Sequence, residues 1–118
     1  MPEIVHYPEG HVLISQDEAG EYFYIIVKGT VEVYQETDDG AVMQLCVLER
    51  GAHFGEVSLL KDIPRTANVR TLTPCDFIVF RREAFQELIR GNAHLRESLE
   101  HEVAFLLRSV EDNAAELT

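Results

Sequence analysis

The chain has little positive charge: its 118 residues include 10 Lys and Arg against 21 Asp and Glu, for a formal net charge of −11. A surface of that sign repels DNA and anionic lipid, so we expect neither nucleic acid nor membrane as a direct partner. The chain also lacks an apolar run long enough to cross a membrane, and its first residues lack the basic and apolar regions of a signal peptide. These absences predict a soluble protein of the cytoplasm.

Residues that bind metals or act as nucleophiles are few and scattered. Cys46 and Cys75 each lie in an apolar run, which predicts buried free thiols, although a disulfide between them stays open. The five histidines form neither a His-x-His nor a His-Glu-x-x-His pattern, and no motif supports a Ser, His and Asp set. We therefore predict no catalytic residue, no metal site and no enzymatic activity. A metal-free enzyme of the cupin type is the alternative.

Short apolar segments separated by turns occupy the first two thirds of the chain. After an apolar segment at 4–7, the patterns predict strands at 11–14, 22–27, 30–34, 41–48, 67–72 and 76–80. The composition of 22–27 is typical of a strand that is packed on both faces, and Val31 and Val33 alternate onto one face. Such strands with glycine-containing turns predict a mainly β fold, a β-roll (double-stranded β-helix or jelly roll) of roughly eight strands.

The periodicity becomes helical from residue 82 onward. A first helix is predicted at 82–90, and a second begins near Ala93. Its apolar stripe consists of Leu95, Leu99, Val103, Leu106, Val110 and Leu117. The stripe leaves three uses open: it covers a ligand, pairs with a second copy of the chain, or packs on the β-roll. We treat 1–118 as a single domain, with the β-roll at 1–81 and C-terminal helices at 82–118.

The most informative stretch lies between two predicted strands, at residues 54–67, which we call the cassette. Gly55 permits a positive φ angle or a close backbone approach, and a helical run of one or two turns follows before Pro64 ends it. The amides of Glu56, Val57 and Ser58 at the start of that run favour a negatively charged group.

Two side chains of the cassette suggest what the ligand carries. Arg65 returns on the next strand and is suited to bind a phosphate through two parallel hydrogen bonds. The carboxylate of Glu56 repels a phosphate, but it suits a ligand that also offers hydroxyl donors, as a ribose does. The alternative is a surface turn in which Glu56 and Arg65 pair with each other. We expect Arg65 to have no partner within the protein, so that its removal leaves stability unchanged.

The sequence of the cassette resembles the phosphate-binding cassette of cyclic nucleotide-binding domains. Those domains occur in regulatory subunits of cyclic-AMP-dependent kinase, in the bacterial catabolite activator protein and in nucleotide-gated channels, and the spacing from Glu56 to Arg65 fits them without insertion or deletion. The resemblance implies that Arg65 holds the cyclic phosphate and Glu56 the ribose 2′-hydroxyl. The predicted ligand-binding residues are Phe54, Gly55, Glu56, Val57, Ser58, Arg65, Thr66 and Ala67.

The resemblance implies a regulatory sensor: a cyclic mononucleotide binds, and the C-terminal helices change position. Cyclic AMP is the expected ligand, with cyclic GMP accepted through Thr66. The output passes to an effector domain outside this chain or to a second copy through the last helix. The alternative within the family is a module that has lost its ligand and serves only in assembly.

The chain departs from the family in two places. A glycine that often precedes the aspartate of the first turn is replaced by Gln16, ahead of Asp17. Because this turn is remote from the cassette in sequence, we expect it to leave ligand binding largely unaffected. The helix that usually precedes the first strand is missing or truncated, which suggests an excised module.

Overall fold

The computed structural model describes residues 4–61 and 63–90, which contain eight strands and two helices. The mainly β prediction is therefore confirmed, whereas the predicted second C-terminal helix lies outside the described residues. No helix within the described ranges is long and apolar enough to cross a membrane. The elements are β1 (Ile4–Tyr7), β2 (Val12–Ile14), β3 (Tyr22–Lys28), β4 (Val31–Glu36), β5 (Val42–Leu48), β6 (His53–Phe54), α1 (Glu56–Lys61), β7 (Asn68–Thr71), β8 (Cys75–Arg81) and α2 (Arg82–Ile89).

The strands form two antiparallel sheets of four strands each, in the orders β1-β8-β3-β6 and β2-β7-β4-β5. Most neighbours in a sheet are distant in sequence, because the chain passes repeatedly from one sheet to the other. This crossing gives the predicted β-roll. It also places the start of β3 beside the end of β8, where Tyr22 is opposite Arg81.

Side chains of β3 are buried on both faces of its sheet. Tyr24 and Ile26 face the other sheet and pack there with the core residues Ile14, Val31, Phe54, Val69, Cys75 and Phe77. Phe23 and Ile25 face outward and are covered by Leu59 of α1 and Phe85 of α2. The two helices are therefore attached to the same strand, a two-sided packing that the apolar composition of 22–27 predicts correctly.

One strand was not among those predicted, and one local prediction is wrong. Residues 53–54 form a strand, β6, which pairs with β3 at Tyr24 and Ile25, and no periodicity can indicate a strand of two residues. Cys46 is exposed, whereas Cys75 is buried as expected; both thiols are free. Cys46 is exposed because β5 is an edge strand that pairs only with β4.

Candidate functional site

A cavity of about 330 Å³ lies between the cassette and the sheet that contains β4 and β5. Its volume falls within the roughly 300–1,000 Å³ of small-molecule sites. Every predicted ligand residue except Val57 lines it; the Val57 side chain lies outside the described part of the chain. The facing wall is apolar and consists of Ile14, Val33, Cys46, Leu48 and Val69. The cavity thus has one polar and one apolar side.

Arg65 places a positive charge at the wall of this cavity, and it is only 7% exposed. Its Nη1 donates to the carbonyl of Gly55 at 2.8 Å and its Nη2 to the carbonyl of Tyr22 at 2.7 Å. The expectation that Arg65 has no partner within the protein is therefore wrong. A guanidinium carries five N–H donors and keeps its charge in proteins, so donors remain for an anion. Burial lowers the pKa of Arg65, and Tyr24 and Glu56 oppose that shift.

Glu56 begins α1 and lies beside His53, whose Nδ1 is 3.5 Å from Oε1 of the carboxylate. Burial on its own raises the pKa of Glu56, but contact with His53, the backbone N–H of Glu56 and the charge of Arg65 outweigh it, and the net pKa is lowered. The carboxylate is therefore ionised at neutral pH. No ion pair joins it to Arg65 in the described residues, because the guanidinium binds carbonyl oxygens instead.

Ser58 contributes a buried hydroxyl at the same wall. The residue is 4% exposed, and its Oγ has no hydrogen-bond partner among the described residues. A buried polar group without a partner costs about 1–3 kcal/mol. Because Ser58 lines the cavity, an acceptor or donor on a bound ligand can supply the missing partner. Nδ1 of His53 is likewise buried without a hydrogen-bond partner within that part of the chain.

The remaining predicted residues shape the cavity. Phe54 stacks on Tyr24 with ring centroids 4.9 Å apart, which attaches the start of the cassette to the core. Gly55 has φ +96°, the left-handed backbone that its sequence position predicts. Thr66 is exposed, and its carbonyl accepts a hydrogen bond of 2.9 Å from Nε2 of Gln35. Ala67 is half-buried at the cavity wall.

The turn before β3 also contacts the cassette, and no sequence pattern predicts this contact. The amide of Asp17 donates to the carbonyl of Arg65 at 2.9 Å, and the amide of Arg65 donates to the carbonyl of Glu18 at 2.8 Å. The expectation that this turn is too remote to matter is therefore wrong. About 50 residues of chain separate the two segments, and the pairing of β2 with β7, in which Ile14 is opposite Val69, brings them together. No local pattern reports such a contact.

Comparison with known proteins identifies the class to which this fold and cavity belong. A family model described as "cyclic nucleotide-binding domain" matches residues 4–92. The chain therefore belongs to the cyclic nucleotide-binding domain family, as the resemblance of the cassette implies.

Three relatives illustrate the match. The chain is 30% identical over 113 residues to the CRP-like cAMP-activated global transcriptional regulator of Mycobacterium tuberculosis, covering 96% of this chain and 50% of that protein. The structure of the Thermus thermophilus catabolite activator protein matches with a TM-score of 0.74 at 26% identity, over 98% of this chain and 55% of that one. A regulatory subunit of a cAMP-independent protein kinase A from Trypanosoma cruzi, bound to guanosine, matches with a TM-score of 0.67 at 30% identity, over 72% and 30% of the two chains. The chain thus spans about half or less of each relative.

Proposed function

We propose that this chain is a regulatory module that binds a cyclic mononucleotide, cyclic AMP or cyclic GMP, in the cavity beside the cassette. One observation carries the proposal: a buried guanidinium, an ionised carboxylate and a buried hydroxyl share one wall of a cavity whose other wall is apolar, and this hydroxyl has no hydrogen-bond partner in the part of the chain that the structure describes. In a protein with a net charge of −11, a buried arginine at a small cavity favours an anion at that point.

Each part of the ligand has a complementary part of the cavity. The free donors of Arg65 suit the cyclic phosphate, and the Oγ of Ser58 is suited to a phosphate or ribose oxygen. The carboxylate of Glu56 accepts a hydrogen bond from the ribose 2′-hydroxyl. The apolar wall, which includes Val33 and Leu48, accommodates the purine ring.

The packing of the helices supports the regulatory part of the proposal. Leu59 of α1 and Phe85 of α2 belong to one apolar cluster on the outer face of β3. Glu56, Ser58 and Leu59 lie on the same short helix. A shift of α1 on binding therefore changes the surface on which α2 packs, and we expect α2 to move in response.

Calorimetric titration with cyclic AMP, cyclic GMP and adenosine tests the proposal. We expect both cyclic nucleotides to bind and adenosine to bind more weakly, because adenosine has no phosphate for Arg65. Recovery of unchanged cyclic AMP after prolonged incubation distinguishes a sensor from the cupin-like enzyme. Absence of binding by either cyclic nucleotide would overturn the proposal and leave a module that serves only in assembly.

We expect the protein to prefer ribose to deoxyribose. A hydrogen bond to a charged group contributes about 1.5–3 kcal/mol, which corresponds to an affinity roughly ten- to a hundredfold lower for 2′-deoxy cyclic AMP. Glu56→Gln keeps an acceptor but removes the charge. The ratio of the affinities for cyclic AMP and 2′-deoxy cyclic AMP should therefore become smaller but stay above one. Equal affinity of the native protein for both ligands would contradict this role of Glu56.

The pH dependence provides a second test of Glu56. Its pKa lies below the ordinary 4.5, so the interactions of the carboxylate are fully present above that value and are lost only as the pH falls through the lower pKa of the folded protein. The ribose preference should therefore be constant between about pH 7 and pH 5. His53→Gln removes the main contact that lowers the pKa of Glu56, so in that variant the ribose preference should be lost at a higher pH than in the native protein.

We also expect a modest base preference that depends on Thr66. Its exposed side chain lies at the cavity wall, where a hydroxyl can bond to the amino group of guanine. The structure of one relative is bound to guanosine, which supports testing a guanine ligand here. One neutral hydrogen bond contributes about 1 kcal/mol, so Thr66→Ala should weaken cyclic GMP binding roughly fivefold and leave cyclic AMP unchanged. Cyclic AMP remains the expected physiological ligand.

Competition titrations on the native protein and on Thr66→Ala decide whether Thr66 or another part of the chain determines the base preference. If cyclic GMP does not compete, or if the substitution leaves its affinity unchanged, Thr66 does not read the base. Selectivity must then come from the C-terminal segment, where Phe105, Leu106, Leu107 and Val110 lie outside the described residues.

A further inference from the structure

Residues 20–22 lie between two arginines, Arg65 at the cavity and Arg82 at the start of α2. The carbonyl of Tyr22 accepts a hydrogen bond from Nη2 of Arg65 at 2.7 Å. The carbonyl of Gly20 accepts one from Nη2 of Arg82 at 2.8 Å, and the carbonyl of Glu21 accepts one from the Arg82 amide at 2.9 Å. Three consecutive carbonyls are thus divided between the two arginines.

The first turn of α2 depends on this segment. The amides at the start of a helix have no partners inside the helix, and the residue that precedes α2, Arg81, makes no side-chain hydrogen bond to them. The Arg82 amide instead donates its hydrogen bond to the carbonyl of Glu21. A displacement of residues 20–22 therefore displaces the start of α2.

The same segment fixes the position of Arg65. A Cβ atom at Gly20 would lie 2.2 Å from Oγ of Ser58 and 3.1 Å from Cζ of Arg65, so the backbone of Gly20 packs directly against the polar wall of the cavity. The preceding turn adds the two backbone hydrogen bonds of Asp17 and Glu18 to Arg65. Main chain and side chain of Arg65 are therefore both held by residues 17–22.

We propose that Arg82 is a positioning residue of the nucleotide site, because its hydrogen bond to the Gly20 carbonyl keeps residues 20–22 against Arg65. The same contact transmits the effect of nucleotide binding from Arg65 to α2. The inference rests on the proposed function for its ligand. A phosphate that binds the Arg65 guanidinium in this position stabilises residues 20–22, and the segment thereby also stabilises the contact between Arg82 and Gly20. By reciprocity, loss of the Arg82 contact must weaken nucleotide binding.

Amide hydrogen exchange without added nucleotide tests the contact itself. We expect Arg82→Ala to speed exchange at the amides of Asp17 and Arg65 about tenfold, because the segment beside their hydrogen bonds loses an anchor. Arg82→Lys keeps a donor for Gly20 and should restore most of the protection. Arg81→Ala removes the same charge one residue away, from an exposed side chain, and should leave both amides unchanged. Native exchange at both amides in a folded Arg82→Ala protein would overturn the inference.

Calorimetry with cyclic AMP tests the effect on binding in the same variants. Arg82→Ala should weaken binding about tenfold, Arg82→Lys about twofold, and Arg81→Ala not at all. When Arg65 is already replaced by lysine, adding Arg82→Ala should weaken cyclic AMP binding only about twofold further, because Arg82 acts through Arg65. Additive losses would show that Arg82 acts by another route. If cyclic AMP does not bind the native protein, the proposed function fails, while the exchange experiment still decides whether the contact exists.

Discussion

Replacing Arg65 with alanine should weaken cyclic AMP binding about 100- to 1,000-fold. The guanidinium is buried at the cavity wall, and its free donors suit charge-assisted hydrogen bonds to a phosphate, each worth roughly 1.5–3 kcal/mol. At ~1.4 kcal/mol per decade, two such bonds, each near the lower end of that range, correspond to about two to three decades in affinity. Isothermal titration with cyclic AMP measures the loss directly. An unaltered affinity in the variant would exclude the phosphate role.

The same substitution should also destabilise the protein in the absence of nucleotide. The carbonyls of Gly55 and Tyr22 lose their donor, and a buried carbonyl left without a partner costs about 1–3 kcal/mol. Chemical denaturation of the native protein and of Arg65→Ala tests this. Arg65→Lys is the conservative variant, because it keeps the charge. One ammonium group cannot reach both carbonyls and a phosphate, so the losses of cyclic AMP affinity and of stability should both be smaller than in Arg65→Ala but still measurable. Arg81→Ala controls for the loss of one positive charge.

The site residues that lie close together in sequence are the ones that the sequence could predict. Glu56 and Arg65 are nine positions apart in a segment where Gly55 permits a positive φ angle and Pro64 ends the helical run, so their approach to one cavity follows from local structure. The resemblance of that segment then implied the family, which the match over residues 4–92 confirms.

The partners of those residues could not be predicted in the same way. Tyr22 contacts Arg65 across 43 positions, and Arg82 contacts Gly20 across 62. Both contacts use backbone carbonyls, which every residue type has, so no side-chain pattern marks them. They exist only because the crossing of the chain between two sheets brings the start of β3 beside the cassette and the end of β8.

The exposure of Cys46 has a related cause. Its apolar surroundings in sequence are typical of a buried strand, and only the order of the strands reveals that β5 lies at the edge of its sheet. Val42, Met43, Leu45 and Val47 of the same strand are exposed for the same reason. Hydrophobicity along a strand predicts that the strand exists, but its place in the sheet depends on non-local pairing.

Replacing Gly55 with alanine should reduce both stability and nucleotide binding, because two separate constraints meet at this residue. Its φ of +96° is unfavourable for a residue with a side chain, which costs about 1–3 kcal/mol. A Cβ atom would also lie 2.8 Å from the carbonyl oxygen of Tyr22 and 3.1 Å from Nη1 of Arg65, so the carbonyl that Arg65 binds and the guanidinium must both shift.

Gly40→Ala is the matched control for this substitution. Gly40 has a similar φ of +85°, and a Cβ atom there would meet nothing within 4 Å among the described residues, so that variant has the backbone cost alone. We expect both variants to lose stability in chemical denaturation, with the larger loss in Gly55→Ala. In titrations with cyclic AMP, Gly40→Ala should bind like the native protein, whereas Gly55→Ala should bind at least about tenfold more weakly, since a displaced guanidinium loses roughly one charge-assisted hydrogen bond. Equal affinities in the two variants would mean that the position of Arg65 relative to Tyr22 does not matter for the ligand. The geometry of the cavity predicts the opposite, because the guanidinium that must meet the phosphate is the atom group that the new methyl group displaces.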